Sequence, residues 1–293
     1  MSEMNDNDTK AAFERDGFVV LRGLVSGSDC EKLQAIVAAI CGGERTDVTP
    51  QHWHSRQGSL TMTKLNQLTE IVPEFMELAR SRALVDVVEQ LIGPRSHIFR
   101  DVVVVKPGPT PGVLRHHQDS AYWDVEPKHL VSAWVALSDA PSAAGPLSVV
   151  PGTHRTPVDH DISLGEHLTL PRPVTRFLRG LVSLAGTGDN PATTSGGTRL
   201  TKLKRAVFGG DSSFARLLDG LQDYHVRNVD VTRCEILGAS RGDVVFFHSL
   251  LIHGTGPNLT THDRTVSIIS YMPEGARLPK VDAGTLPLAR ISG

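Results

Sequence analysis

Four residues carry the chemical argument: His117 and Asp119, which flank Gln118, then His253 and, eleven residues further on, Arg264. Two imidazoles and one carboxylate are the donor set of a non-haem Fe(II) centre that keeps coordination positions open for substrate and O2. In an extended segment, residues two apart face the same side, so His117 and Asp119 can grip one ion from one strand end. The third donor must then come from elsewhere, and His253 stands in a second strand-like stretch. Arg264, with its planar fork, could anchor the carboxylate of a co-substrate.

Taken alone, His-x-Asp is weak, and its bland reading is a surface histidine beside a solvated carboxylate. Context strengthens it. The run VLRHHQDSAYW, residues 113–123, follows a β-like stretch and the turn PGPTPG, which puts the triplet at a strand edge. Tyr122 and Trp123 come next and are candidate substrate walls. In residues 242–273 a Gly-Asp turn feeds an apolar strand, then His253, Gly254 and Gly256, then a loop into a strand that starts at Arg264. Small residues after His253 are expected to keep the open metal positions clear. His116 should point to the opposite face of its strand; His248 is expected in core packing or behind a ligand, and His154 in a turn, in a structural role or in contact with substrate. GxSxG, Walker A and HExxH are all absent, which removes the usual hydrolase, nucleotidase and zinc-protease readings.

These donors need elements to hold them. A short helix over residues 11–17 leads into a buried strand, Phe18 to Leu21. Ser28 and Asp29 offer N-cap oxygens for a helix that ends at Gly42-Gly43. Pro73, suited to a first helical turn, opens another helix that is expected to run unbroken to Gly93-Pro94, with irregular chain over 44–70. From His97 the pattern turns to short β runs, IFRDVVVVK, VSAWVAL, LSVV, DVVFF and TVSIISY, which suggest an antiparallel barrel or jelly roll with flanking helices. The fold class is therefore mainly β with added helices (α+β), in a single domain over 1–293. Residues 155–230 interrupt the β pattern as an insertion. Within it, segment 171–205 holds seven Arg or Lys against one acid, a net +6 in a chain whose total is -2. Arg172, Arg176, Lys202, Lys204 and Arg205 make this insertion a candidate lid that could pair with an anionic group of a small-molecule substrate.

Composition sets outer bounds. At 293 residues with 40% hydrophobic and 21% charged residues, the chain can bury a large core. The near-neutral balance gives no electrostatic footprint for nucleic acid. No run approaches the roughly 18 apolar residues of a membrane span, and the polar N-terminus has no signal-peptide pattern. Three cysteines, Cys30, Cys41 and Cys234, show neither disulfide-framework nor zinc spacing, so a reducing cytoplasm is the expected location. Cys30 and Cys41 are expected as buried small hydrophobes.

The motifs HQDSAYW (117–123), SAWVAL (132–137), GPLSVVPGTH (145–154) and FFHSLLIHGTGPN with Arg264 resemble the phytanoyl-CoA dioxygenase-like family of Fe(II)/2-oxoglutarate-dependent oxygenases. Weaker agreement extends to FERDGFVVLRGLVS near the N-terminus. The resemblance implies a cupin-like double-stranded β-helix, with His117, Asp119 and His253 as catalytic iron ligands and Arg264 on the distal carboxylate of 2-oxoglutarate. It also implies a hydroxyl assisting that carboxylate at Thr255, a co-substrate wall at Trp134 and a further contact at Lys64. The implied reaction couples oxidative decarboxylation of 2-oxoglutarate by O2 to hydroxylation of an unactivated C–H bond, with secondary metabolism as a setting. Desaturation, ring formation or epimerisation at the same iron site is the alternative, and a non-catalytic metal-binding barrel ranks below both. Asp119 stands where halogenating relatives carry Gly or Ala, which disfavours halogenation. The span from His117 to His253 is longer than the family's usual one, so no substrate carries over.

Overall fold

In a computed structural model, the structure describes residues 6–48, 53–55, 62–123, 125–164, 168–169 and 223–277. The basic residues Arg172, Arg176, Lys202, Lys204 and Arg205 lie outside them. Strands are β1 (Phe18–Leu21), β2 (Trp53–Ser55), β3 (Thr63–Asn66), β4 (His97–Lys106), β5 (Leu114–His117), β6 (Val131–Ala136), β7 (Leu147–Val149), β8 (Asp161–Leu164), β9 (Leu168–Thr169), β10 (Asp223–His225), β11 (Glu235–Leu237), β12 (Val244–His248), β13 (His253–Thr255) and β14 (Arg264–Met272). Helices are α1 (Asp6–Asp16), α2 (Gly27–Cys41), α3 (Leu68–Ile71), α4 (Pro73–Ala79) and α5 (Arg82–Ile92).

A seven-stranded sheet runs β1-β12-β6-β14-β4-β3-β2, and a four-stranded sheet runs β11-β7-β13-β5. Every pairing in both is antiparallel. The two sheets form the jelly roll expected from the β runs. Strand periodicity explains how one sheet serves two cores. In β4, Val102 and Val104 join the cluster between the sheets with Trp134, Leu147, Phe247 and Val266. Val103 and Val105 face the other way, into a cluster with Leu33, Phe75, Leu84 and Val88 of the helices. The VVVV run is thus apolar throughout because both faces of the strand are covered.

Several boundaries differ from the sequence reading. The α2 cap is Ser26, whose Oγ accepts from the Asp29 amide at 3.1 Å, two residues earlier than expected. The helix expected from Pro73 to Gly93 breaks after Ala79 and restarts at Arg82. The polar Arg80-Ser81-Arg82 step separates two apolar stripes, and the buried Tyr271 hydroxyl donates to the Ala79 carbonyl at 2.9 Å, satisfying a helix-end acceptor. Residues 44–70, expected to be irregular, contain β2, β3 and most of α3. There Asp101, on the helix-facing side of β4, accepts from the Leu68 amide at 2.9 Å and the Thr69 hydroxyl at 2.5 Å, tying α3 to the sheet. Cys30 is buried as expected, whereas Cys41 is exposed because it ends α2; both are free thiols, as is Cys234.

Candidate active site

His117 ends β5 and His253 begins β13, and the two residues are direct cross-strand partners. Their rings therefore meet, with centroids 4.4 Å apart. Each is held by the same device. His117 Nδ1 bonds the Arg115 carbonyl at 2.8 Å and His253 Nδ1 the Leu251 carbonyl at 2.9 Å. A carbonyl can only accept, so both Nδ1 atoms carry the proton and both Nε2 lone pairs are left for a metal. Gln118 is still extended, so Asp119 turns back onto the same side before a 3-10 turn takes over. Its Oδ1 lies 3.5 Å from His117 Nε2 and 3.6 Å from His253 Nε2, separations that bonds of about 2.1 Å to one ion can span. These three form the one such group of metal-binding side chains among the described residues.

The surroundings match those roles. Burial, and then His117, push His253 down to about 4, so its imidazole is neutral and able to ligate at pH 7. Burial opposes ionisation of Asp119, but His253 and His117 outweigh it and hold the carboxyl below its ordinary value. Gln118, buried between them, donates from its side chain to the Leu250 carbonyl at 2.6 Å and the Thr156 carbonyl at 3.0 Å, and accepts from the Val158 amide at 2.9 Å. It locks the β5 end without touching the metal position.

Arg264 is 1% exposed at the start of β14, and its Nε and one Nη have no hydrogen-bond partner among the described residues. Its guanidinium stands 5.9 Å from the Trp134 ring centroid. Burial lowers it to about 10, which leaves it charged at neutral pH. A buried cation with uncommitted donors costs free energy unless an anion completes it. Arg264, Trp134, Thr255 and Lys64 line one cavity of about 480 Å3 with the His-Asp-His group. That volume lies within the roughly 300–1,000 Å3 of small-molecule sites. The arrangement fits Fe(II) and a dicarboxylate such as 2-oxoglutarate: a facial donor set beside a buried, unmatched guanidinium.

The sequence profile described as "Phytanoyl-CoA dioxygenase" matches residues 13–266. The chain belongs to the phytanoyl-CoA dioxygenase family. Among curated members, the bovine peroxisomal phytanoyl-CoA dioxygenase is 28% identical over 263 residues, 84% of this chain and 62% of that protein. The chain thus spans about three-fifths of the length of the first such relatives it matches. Ectoine dioxygenase of Bordetella parapertussis is 28% identical over 165 residues, 52% of this chain and 53% of that protein. Among solved structures, the epimerase SnoN with Fe3+, alpha ketoglutarate and nogalamycin RO is similar at a TM-score of 0.62 and 19% identity, covering 98% of this chain and 96% of that one.

Family membership leaves several residues that sequence reasoning missed. Lys106, 0% exposed and the cross-strand partner of Arg264, donates to Thr255 Oγ1 at 2.8 Å and to the Gly256 carbonyl at 2.6 Å. Thr255 Oγ1 spends a lone pair on that ammonium, so its own proton is free to be donated into the cavity. Burial, then Arg264, lower Lys106 to about 7. A lysine closing the apolar run VVVVK was the available signal. Ser132 Oγ lies 3.5 Å from Asp119 Oδ2 and 2.9 Å from Ser270 Oγ, backing the carboxylate from the large sheet. Arg100 also lines the cavity, as do Tyr122 and Trp123. The Tyr122 ring stands edge-on to His117 at 5.5 Å.

Among the described residues, no other histidine lines the cavity. His116 faces away from it, 3.3 Å from Ser148 Oγ and 3.5 Å from Cys234 Sγ. His248 stacks near His129, His154 and Phe13, with its Nε2 3.0 Å from His129 Nδ1. One expectation needs correction. Gly254 is small because its backbone approaches β5, where a Cβ would stand 2.6 Å from the Leu114 carbonyl oxygen. It serves strand contact rather than clearance around the metal.

Proposed function

We propose that this chain is an Fe(II)/2-oxoglutarate-dependent oxygenase that hydroxylates an unactivated C–H bond of a small molecule, in the manner its family name suggests. The observation that carries the reading is the buried Arg264, with two uncommitted guanidinium nitrogens, in one cavity with His117, Asp119 and His253. Bound Fe(II) and 2-oxoglutarate together supply O2 activation, with succinate and CO2 as co-products. The chain supplies the rest. His117, Asp119 and His253 hold the metal through two neutral imidazoles and one carboxylate. Arg264 pairs with the distal carboxylate, Thr255 donates to it with its hydroxyl oriented by Lys106, Trp134 forms the wall beside it, and Lys64 adds a second positive contact. Tyr122 and Trp123 flank the metal position and exclude water from it.

The 155–230 insertion of this single domain serves as a lid in the same proposal. Its described ends support this: the Val226 amide donates to the His116 carbonyl at 2.8 Å, next to a ligand, and Arg227 pairs with the buried Asp161. Arg172, Arg176, Lys202, Lys204 and Arg205 would then approach an anionic substrate from the lid. No helix among the described residues is long and apolar enough to cross a membrane. The free cysteines support a reducing setting such as the cytoplasm, and the bovine relative is named peroxisomal. Nucleic acid is not part of the proposal.

The likeness to the epimerase SnoN favours one second reading, in which the same site removes hydrogen without inserting oxygen. Product formula separates the two: hydroxylation adds one oxygen, desaturation or ring formation loses two hydrogens, and epimerisation changes nothing. The test of the main reading is succinate release from 2-oxoglutarate under air. Release that requires Fe(II), falls at least 100-fold in His117→Ala and rises with the right substrate is expected; release indifferent to iron or to His117 contradicts it.

A further inference from the structure

Arg100 and Arg264 stand at opposite ends of the same cavity. On the large sheet Arg264 pairs with Lys106 and Ser270 with Arg100, so six residues of β14 separate the two positions. At a rise of about 3.4 Å per residue that is roughly 20 Å of strand. Ser270 Oγ contacts Ser132 Oγ, which in turn lies against Asp119 Oδ2, so Arg100 sits on the Asp119 flank of the triad. Arg264 occupies the other flank, beside Thr255 and Trp134.

Arg100 has no hydrogen bond or ion pair among the described residues. Its guanidinium lies 5.4 Å from the Trp123 ring centroid, and Trp123 is braced edge-on by Phe99 at 5.1 Å. Stacking on an indole face orients a guanidinium while leaving its N–H donors uncommitted. Four other arginines, Arg22, Arg95, Arg227 and Arg241, are held by carboxylates, Asp243, Glu274, Asp161 and Glu31. Among the described residues that line the cavity, Asp119 is the one carboxylate, and it belongs to the metal-binding group.

We infer that Arg100, held on Trp123, binds an anionic group of the substrate, so that this enzyme acts on a small organic acid or phosphate ester anchored on the Asp119 side of the metal. The inference rests on the oxygenase reading and places the anion contact in the barrel wall, independently of the basic insertion. Asn66 and Gln67, which line the same cavity, supply neutral polar contacts for the rest of such a molecule.

The experiment is calorimetric titration of protein loaded with Ni(II) and 2-oxoglutarate, which occupies the metal and Arg264 without turnover. Probes are hexanoate against hexanamide, benzoate against benzamide, and phenyl phosphate. At least one anion should bind tenfold or more tightly than its amide to the wild type, and Arg100→Gln should reduce that preference below twofold. A phosphate ester that outbinds both carboxylates would identify the anion as phosphoryl. No preference for any anion, or a preference that survives Arg100→Gln, overturns the assignment. If 2-oxoglutarate binds but no anion is preferred, only the Arg100 assignment falls. If 2-oxoglutarate fails to bind, the oxygenase reading falls, and the same titration of metal-free protein decides Arg100 alone.

Discussion

His117 and His253 are prepared as ligands by the carbonyls behind them, Arg115 and Leu251, which accept hydrogen bonds from Nδ1–H and so leave both Nε2 lone pairs for a metal. Arg264 is prepared in the opposite sense, by lacking partners. Arg264→Gln should raise the Kd of 2-oxoglutarate by roughly 30-fold or more, the equivalent of at least about 2 kcal/mol for a buried charge left unmatched. Titration of the Ni(II)-loaded protein measures this, and a change under threefold would contradict it. Lys106 gives a pH signature. Its folded value is lowered to about 7, whereas in the unfolded chain it keeps its proton to about 10.4. Between those limits the unfolded state binds more protons, so stability should rise with pH from 7 to 10, by on the order of a few kcal/mol. Lys106→Met should remove that rise in urea unfolding of the metal-free protein; identical slopes in the two proteins would refute the assignment. The ligands and Arg264 were legible because rare residue types recur at telling spacings. Lys106 and Arg100 were not, since a cation at the end or edge of a β run reads as a surface residue until the pairing partner is known.

At the level of elements, the site is a product of register. His117 and His253 are 136 positions apart in sequence yet directly opposite on β5 and β13, and nothing local specifies that pairing. Gly254 permits it. Gly254→Ala would set a Cβ against the Leu114 carbonyl oxygen at 2.6 Å, an atom fixed in the β5 backbone, and so spread the two strands. Metal affinity should fall by roughly 10–100-fold, the usual cost of disturbing what holds a ligand, with the far-UV spectrum retained. Unchanged affinity would mean that the strands yield freely. Asp101→Ala should cost about 0.5–2 kcal/mol by freeing the first turn of α3 from β4, read as a lower Tm. Strand runs were legible here because apolar alternation is a local signal. The break at Arg80-Ser81 and the shifted α2 cap were not, because tertiary bonds from Tyr271 and the geometry of Ser26 decide them.

Across the whole molecule, two sheets enclose a cavity that holds the metal-binding group and two arginines, Arg100 and Arg264, without an ion pair among the described residues. The β character and the jelly roll were readable from motif order; the layering of one sheet between two cores was readable only in outline, from runs such as VVVV that are apolar on both faces. The lid proposal predicts that reversing Lys202 and Arg205 to Glu raises the substrate KM at low salt, and an unchanged KM would remove it. The most direct test of the central claim is anaerobic addition of Fe(II) and 2-oxoglutarate, followed by visible absorption. The account predicts a weak charge-transfer band in the wild type that requires both additions and is lost in His253→Ala. No band in the wild type, or an equal band in His253→Ala, would contradict it.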